Sequence, residues 1–440
     1  MHAAPIALPI PRTVAPVPGR GAARRAINRA CAVVVAARFR TVVADGPRMV
    51  TSARAGVAEC DALWNRVLSR QGLHPETRLG SWHEVGQAGL GIHAARLPTP
   101  VATVAARCED PTAVQEVVGR SDASTATTIR CMRRTLHLLP VELAVPAHRA
   151  TLGYRERDAE RLAVRAGAGA ARLARADEQL KAVLADAPVA PRAIEAALAA
   201  EGTAVPVARA ALKLAWERGT ITCLNVSGRW NRELRVFALT ERACPGLLAP
   251  MDRDEAIRVL IEAYFDRYGP ATIADAMWWS GLARRDVVAA MDAAPCRWAR
   301  LDTEWAASAA FMTEARYEEH HTVPGPMEPA VALLAHEDVA LKAYFETRCR
   351  YLGRMPAGAV FNSIGEVLPT VLSDGRVVGR WQWHPRRGVV HWTALSDTLD
   401  AALCTRIDTA AEHLTHVLRP GWDPPPGAGE ADPGQLALAI

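Results

Sequence analysis

The stretch Gly89-Leu90-Gly91-Ile92-His93-Ala94-Ala95-Arg96-Leu97, followed at once by Pro98-Thr99-Pro100, sets one imidazole and one guanidinium three residues apart on a glycine-spaced apolar run. A run of this kind that stops at prolines reads as a short ordered segment opening onto a loop. In such a place His93 can hydrogen-bond a water or act as a general base near neutral pH. The same ring also suits a hydrogen-bonded histidine at the edge of a core. A second run, Ile129 to Leu139, ends at Pro140, and its last half alternates as a strand does, offering Arg134 or His137 to one face.

Composition narrows the setting in which that chemistry operates. The chain has 440 residues, half of them apolar, which is enough for a large core and for two to four domains. A formal charge of +5 permits a nucleic-acid partner without demanding one. Only Lys181, Lys213 and Lys342 are lysines among 52 basic residues, so amines for Schiff-base chemistry are nearly absent and phosphate contacts fall to arginine. Nine scattered cysteines without a Cys-x-x-Cys pair argue for reduced thiols in a cytoplasmic protein. The lone His413-x-x-His416 pair makes a metal site improbable, no cofactor is implied, and no apolar run is long enough to span a bilayer.

In chain order, residues 1–58 read as a disordered or mis-started extension, proline-rich and then arginine-rich, with Met49 a candidate true start. Residues 59–154 hold helices over 61–72, 82–89, 99–108 and 112–118, a polar loop at 121–128 and the strand-like run ending at Pro140. Within residues 155–250, helices over 192–200 and 207–218 and strands over 220–225 and 234–239 make a helix-turn-helix followed by a hairpin, the order of a winged helix. Its wing tip, Val226 to Arg232, carries Arg229, Trp230 and Arg232, which suit either a DNA contact or a solvated loop. A second such unit fills residues 251–322: helices over 255–268, 273–279 and 284–291, then small wing strands at 298–301 and 304–307. Arg284 and Arg285 start its last helix, where a recognition helix meets phosphate, and Trp278-Trp279 is a core pair or a base-stacking platform. Residues 323–418 are β-rich after a linker at Pro324, Pro326 and Pro329, with a hairpin turning at Asp374-Gly375 and a closing helix over 398–418. Residues 419–440 read as a loose tail.

Three segments carry a family likeness. Arg133-Arg134-Thr135-Leu136-His137-Leu138, Tyr268-Gly269-Pro270-Ala271-Thr272 through Trp279-Ser280-Gly281-Leu282, and Pro369-Thr370-Val371 through Gly379-Arg380-Trp381 resemble the winged-helix DNA-binding family of AlkZ/YcaQ-like DNA glycosylases, over roughly residues 60–418. The resemblance implies an α+β fold of three tandem winged-helix (helix-turn-helix) domains and a C-terminal β-barrel-like domain, clasping double-stranded DNA. It also implies monofunctional hydrolysis of the N-glycosidic bond of alkylated or crosslinked purines. In that family a glutamine, an aliphatic residue and then a glutamine or aspartate orient the attacking water. The matching positions here are His93, Ala94 and Ala95, so His93 is the catalytic candidate and the second polar group of the motif is missing.

On this reading Arg96, Arg133, Arg134 and His137 lie near the lesion or its phosphates, Arg229, Arg232, Arg284 and Arg285 follow the backbone, and the Gly375 hairpin, with Arg376 and Arg380, probes the duplex. The protein is expected to be a monomer, cytoplasmic and nucleoid-associated, with no membrane partner. Two alternatives stand beside it: a non-catalytic DNA-binding regulator or lesion sensor, in which Ala95 marks the loss of chemistry, and a winged-helix array used for protein contacts.

Overall fold

The computed structural model describes residues 49–118, 125–322, 325, 329–395 and 399–424. The extension up to residue 48, residues 121–124 of the polar loop expected over 121–128, the linker prolines 324 and 326 and the tail beyond 424 lie outside the described residues; the end of that expected loop, from Ala126, is instead strand, paired antiparallel with the run that ends at Pro140.

The chain opens with β1 (Met49–Arg54) and α1 (Val57–Arg70), whose Leu63, Trp64, Val67 and Leu68 recur at helical spacing and are all buried. Residues 49–58, which the sequence assigned to the extension, are therefore part of the fold. Next come α2 (Trp82–Ala88), capped by the Ser81 hydroxyl, and β2 (Ile92–His93). Pro98 then starts α3 (Pro98–Ala105), and α4 (Pro111–Val118) follows. The strand-like run is two strands, β3 (Ala126–Arg130) and β4 (Leu136–Pro140), broken where Arg133 and Arg134 both take left-handed backbone with φ of 52° and 62°. β4 is central in the sheet β2-β4-β3.

A long helix, α5 (Val141–Arg165), leads into α6 (Ala170–Val183), α7 (Pro191–Ala200) and α8 (Val205–Arg218), then the antiparallel pair β5 (Ile221–Asn225) and β6 (Arg235–Leu239). The element order expected for residues 192–240 is present, and Ile194, Leu198, Ala211, Ile221 and Phe237 share one small core there.

The next segment is α9 (Arg253–Tyr268), β7 (Ala271–Thr272), α10 (Ile273–Ser280) and α11 (Arg284–Ala293). Thr272 and Asp275 form a reciprocal capping box at the start of α10, and Gly281 ends it with φ of 76°. Then follow β8 (Trp298–Asp302), β9 (Ala310–Thr313) and α12 (Glu314–Thr322). The second wing strand expected at 304–307 is instead a turn, because Trp305 is drawn inward onto the Arg350 guanidinium, 3.9 Å from its ring centroid. The sheet runs β1-β8-β9-β7, with β1 parallel to β8 and Ala53 opposite Leu301.

The C-terminal part is β10 (Val331–Leu334), β11 (Thr370–Ser373), β12 (Arg376–His384), β13 (Val389–Ala394) and α13 (Ala401–Leu418). These four strands form an antiparallel sheet in sequence order, not the expected barrel: among the described residues β10 and β13 are not paired to each other. Four strands are too few to close around a filled interior. The sheet instead buries Leu333, Val371 and Trp381 against Ile407, Ala411 and Leu414 of α13 and Val101 and Val104 of α3. The fold is mixed α+β, and no described helix is long and apolar enough to cross a membrane.

The β11–β12 hairpin turns where the sequence expected, with positive φ at Asp374 (44°) and Gly375 (76°). Its tip is docked rather than free: the Gly375 carbonyl accepts a 2.8 Å hydrogen bond from Trp64 Nε1, and a Cβ added at Gly375 would stand 2.7 Å from that indole. Gly375→Val is expected to lower stability in urea by about 2–3 kcal/mol, through strained backbone and overlap with a packed ring. Gly358→Ala, where an added Cβ meets nothing within 4 Å, is expected to stay within about 0.5 kcal/mol of the parent.

Candidate active site

His93 stands opposite His137 in the β2–β4 pair, and the two rings meet edge to face with centroids 5.6 Å apart. Both rings are buried, and His93 Nδ1 has no hydrogen-bond partner. His137 Nδ1 lies 3.2 Å from the Thr135 carbonyl oxygen and 3.4 Å from Cys131 Sγ. The surroundings include buried charge as well as aliphatic side chains. Lys342 Nζ donates to Thr135 Oγ1 at 3.0 Å and lies 3.4 Å from Glu337 Oε2, with both side chains almost wholly closed to solvent. Glu337 takes left-handed backbone (φ 54°), and its other oxygen accepts from the Val367 amide at 2.8 Å. Arg133 NH1 is 3.8 Å from Glu337 Oε2.

Asp338 sets the position of this group. It lies between Glu337 and the short helical turn Val339–Lys342, which it caps by accepting from the Ala340 amide. Its two oxygens take a forked pair of bonds from Arg107, at 2.7 and 3.0 Å, with both side chains fully buried. The segment carrying Glu337 and Lys342 is thereby clamped to the residues just after α3.

Beside the cluster a chain of stacked cations and rings reaches the surface. The Arg133 guanidinium lies 3.9 Å from the Trp278 ring centroid, Trp278 stacks on Phe345 at 4.9 Å, and Arg348 covers both Phe345 (4.8 Å) and Phe361 (4.6 Å). Phe345 is 39% exposed, unusual for so large a ring. The buried Asp275 carboxylate fixes this arrangement: it accepts from the Thr272 amide at the N-cap of α10 and from the amides of Phe345, Glu346 and Thr347.

The residues singled out from the sequence divide into three groups. His93, His137 and Arg133 come together, with Arg96 close by. Arg96 is more than half exposed, donates to His336 Nε2 at 2.8 Å and pairs with Glu366 at 2.9 Å. A second group neighbours the cluster. Arg134 pairs with Asp158 and lies over Tyr154, whose hydroxyl also donates to the Cys131 and Ser280 carbonyls. Gly281, which ends α10, comes within 3.5 Å of the Arg133 amide, counted from an added Cβ, so Arg284 and Arg285 follow that contact by a few residues; Arg285 is almost fully exposed.

The remaining group is committed elsewhere. The expected wing tip packs on the C-terminal turn: Trp230 is buried with Nε1 donating to the Leu418 carbonyl, Arg229 donates to the Pro420 carbonyl, and Arg232 pairs with Asp423. Arg376 pairs with Asp61 at 2.7 Å, which leaves Arg380 as the exposed arginine of that hairpin. Ala94 faces a separate cavity of about 140 Å³ shared with Leu97, Arg229 and Arg235, and Ala95 is exposed.

Sequence reasoning missed Glu337, Lys342, Trp278 as an outward-facing partner of Phe345, and Arg348. A signal was present in His336-Glu337-Asp338, three polar residues that follow an apolar run and end four residues before one of only three lysines. Consecutive polar residues that leave a buried strand must find partners inside.

Burial, followed by the nearby charges of Lys342, His137, His336 and Arg133, drives the His93 pKa far below the ordinary histidine range. The ring is therefore neutral at physiological pH, which sets aside the base titrating near neutrality that was one of the readings of the sequence. Burial also holds His137 well below its usual value, and brings His148 down to about 3. In the unfolded chain these rings bind protons near pH 6.5, so below that pH the unfolded state takes up protons that the native state refuses. Stability should fall as pH drops from about 6.5 toward 4, each ring contributing up to about 1.4 kcal/mol per pH unit. Urea unfolding of His93→Gln over that range should give a pH slope shallower than the parent's by about one proton.

No curated protein matches the chain. Among solved structures, the DNA glycosylase AlkZ of Streptomyces sahachiroi superposes with a TM-score of 0.67 at 22% identity, over 83% of this chain and 98% of that chain, a likeness of fold. The family described as DNA glycosylase AlkZ-like matches residues 87–417, a span that holds β2, β4, the Glu337–Lys342 segment and the stacked rings. The chain belongs to the AlkZ-like DNA glycosylase family.

Proposed function

We propose that this protein hydrolyses the N-glycosidic bond of alkylated or crosslinked purines in double-stranded DNA, at the buried cluster built around His93, Glu337 and Arg133. The helix–helix–hairpin segments act as tandem winged helices on the duplex, and the protein works as a cytoplasmic, nucleoid-associated monomer. One observation carries the reading: the histidine at the family's motif position packs on His137, and Lys342, bonded to Thr135 two residues before that ring, stands 3.4 Å from a carboxylate of a distant segment, Glu337. That carboxylate supplies what Ala95 lacks.

An N7-alkylated purine is already cationic and leaves readily, so the enzyme's task is to stabilise the oxocarbenium-like sugar and aim a water. Glu337 faces the developing positive charge and takes the water's proton, and the neutral His93 ring accepts a hydrogen bond from that water at its unpartnered Nδ1. Lys342 and Arg133 hold the carboxylate in place. The exposed ring of Phe345, backed by Trp278 and flanked by Arg348, offers a face for a base and a cation for its phosphate.

With a duplex carrying N7-methylguanine, the parent protein should form abasic sites faster than heat-driven loss, and Glu337→Gln should cut that rate by about a hundredfold or more. Base release no faster than spontaneous depurination would end this reading. Phe345→Ala should weaken duplex binding by about fivefold or more, the worth of one stacked base.

A second reading, a DNA-binding protein without chemistry, draws on the exposed Ala95 side chain and the closure of His93 to solvent. It calls for duplex binding that weakens steeply with salt and leaves the modified base attached.

A further inference from the structure

We propose that Lys342 is an amine nucleophile for the aldehyde of an abasic site, which would give this protein a DNA lyase activity beyond base removal. The proposal rests on the reading that the same enclosure receives the damaged sugar. Of the chain's three lysines, Lys181 is a surface residue paired with Asp177 and Glu178, and Lys213 pairs with Glu217 on α8. Lys342 alone stands at the site, where its Nζ is 3.0 Å from Thr135 Oγ1, two residues before the His137 ring that meets His93, and 3.4 Å from Glu337 Oε2. A sequence nearly empty of lysine gave little expectation of Schiff-base chemistry, yet the fold brings one lysine and one carboxylate together where the sugar is proposed to lie.

The two groups provide what the step needs. Burial, only partly countered by Glu337 and reinforced by Arg133, lowers the Lys342 amine to about 8, so a useful fraction is unprotonated near neutral pH. The lone pair of Nζ attacks C1′ of the ring-opened sugar, and the aldehyde oxygen, after gaining protons, leaves as water to give an iminium ion. Glu337 removes a proton from C2′, and the electron pair passes through C2′–C3′ to expel the 3′-phosphate. Water then hydrolyses the C=N bond, which frees the amine and the unsaturated aldehyde, and Glu337 returns its proton to solvent. No oxidant, metal or second substrate enters the balance.

Access requires the enclosure to open on DNA. Its margin includes Arg96, His336 and Glu366, joined by contacts in which Arg96 is more than half exposed. The Arg96–Glu366 pair, solvated on its arginine side, is weak enough for a phosphate to displace the carboxylate.

The test uses the full chain and a duplex with a preformed abasic site, made by excising uracil, in the presence of borohydride. Because the probe already lacks its base, the result does not depend on glycosidic hydrolysis. The expected result is a covalent protein–DNA adduct that peptide mass spectrometry maps to Lys342, with β-elimination products when borohydride is omitted. Lys342→Arg, which keeps the positive charge beside Glu337, should lose the adduct while retaining duplex affinity, and Lys181→Arg and Lys213→Arg should retain it. An adduct mapped to the N-terminal amine or to another lysine, or no adduct from the parent protein, overturns the proposal. Base release from N7-methylguanine DNA without an adduct would refute the lyase step alone; an adduct without base release would refute the glycosylase reading alone.

Discussion

The arrangement described above hangs on the buried forked pair between Arg107 and Asp338. A carboxylate and a guanidinium closed off from water pay a large desolvation penalty, which only near-ideal geometry offsets, and removing one partner leaves the other charged and unpaired at a cost of about 3–5 kcal/mol. Their two bonds tie the turn after β10 to the residues just beyond α3, two parts of the chain 231 residues apart. Asp338 also caps the turn that ends at Lys342, and Glu337 precedes it in left-handed backbone. One interaction therefore sets both the carboxylate and the amine against β2 and β4. Buried ion pairs add little net stability, so the contribution we assign to this one is positional.

A consistent electrostatic logic follows. A histidine enclosed beside Lys342 and Arg133 stays neutral, and on the proposed function the single buried carboxylate among them is the partner for positive charge on a sugar. In the motif that the sequence resembles, both polar groups come from one short segment. On the proposed function, His93 takes the first of those places and, with alanine two positions on, the second role falls to a residue from the other end of the chain. Around this enclosure, Asp275 fixes the Phe345 segment to the cap of α10, so the surface where stacking is available and the buried chemistry are held by two separate carboxylates.

How much of this was legible depended on the range of the interaction that decides each feature. The amphipathic face of α1, the capping residue Thr272 and the Asp374-Gly375 turn are determined by neighbours in sequence, and each was readable. β1 was not: its six residues carry little pattern of their own and become a strand by pairing with β8, nearly 250 residues away. The Val226–Arg232 loop looked like an exposed basic tip because its composition is polar, whereas Trp230 and its neighbours are bound by the turn after α13. The four C-terminal strands were recognisable singly, but whether they close or lie against a helix is settled by α3 and α13, outside their own pattern. His93 was legible as a candidate from its segment alone. Glu337 and Lys342 were not, since nothing local says that a polar triplet after a strand will face an imidazole from the first part of the fold.

The most direct measurement is a crystal structure of the full chain bound to a duplex containing a tetrahydrofuran abasic analogue. The account requires the analogue to be turned out of the helix with its anomeric carbon against His93, Glu337 and Lys342, and an adjacent base resting on Phe345. DNA lying on another face, with those three side chains still enclosed and untouched, would contradict it.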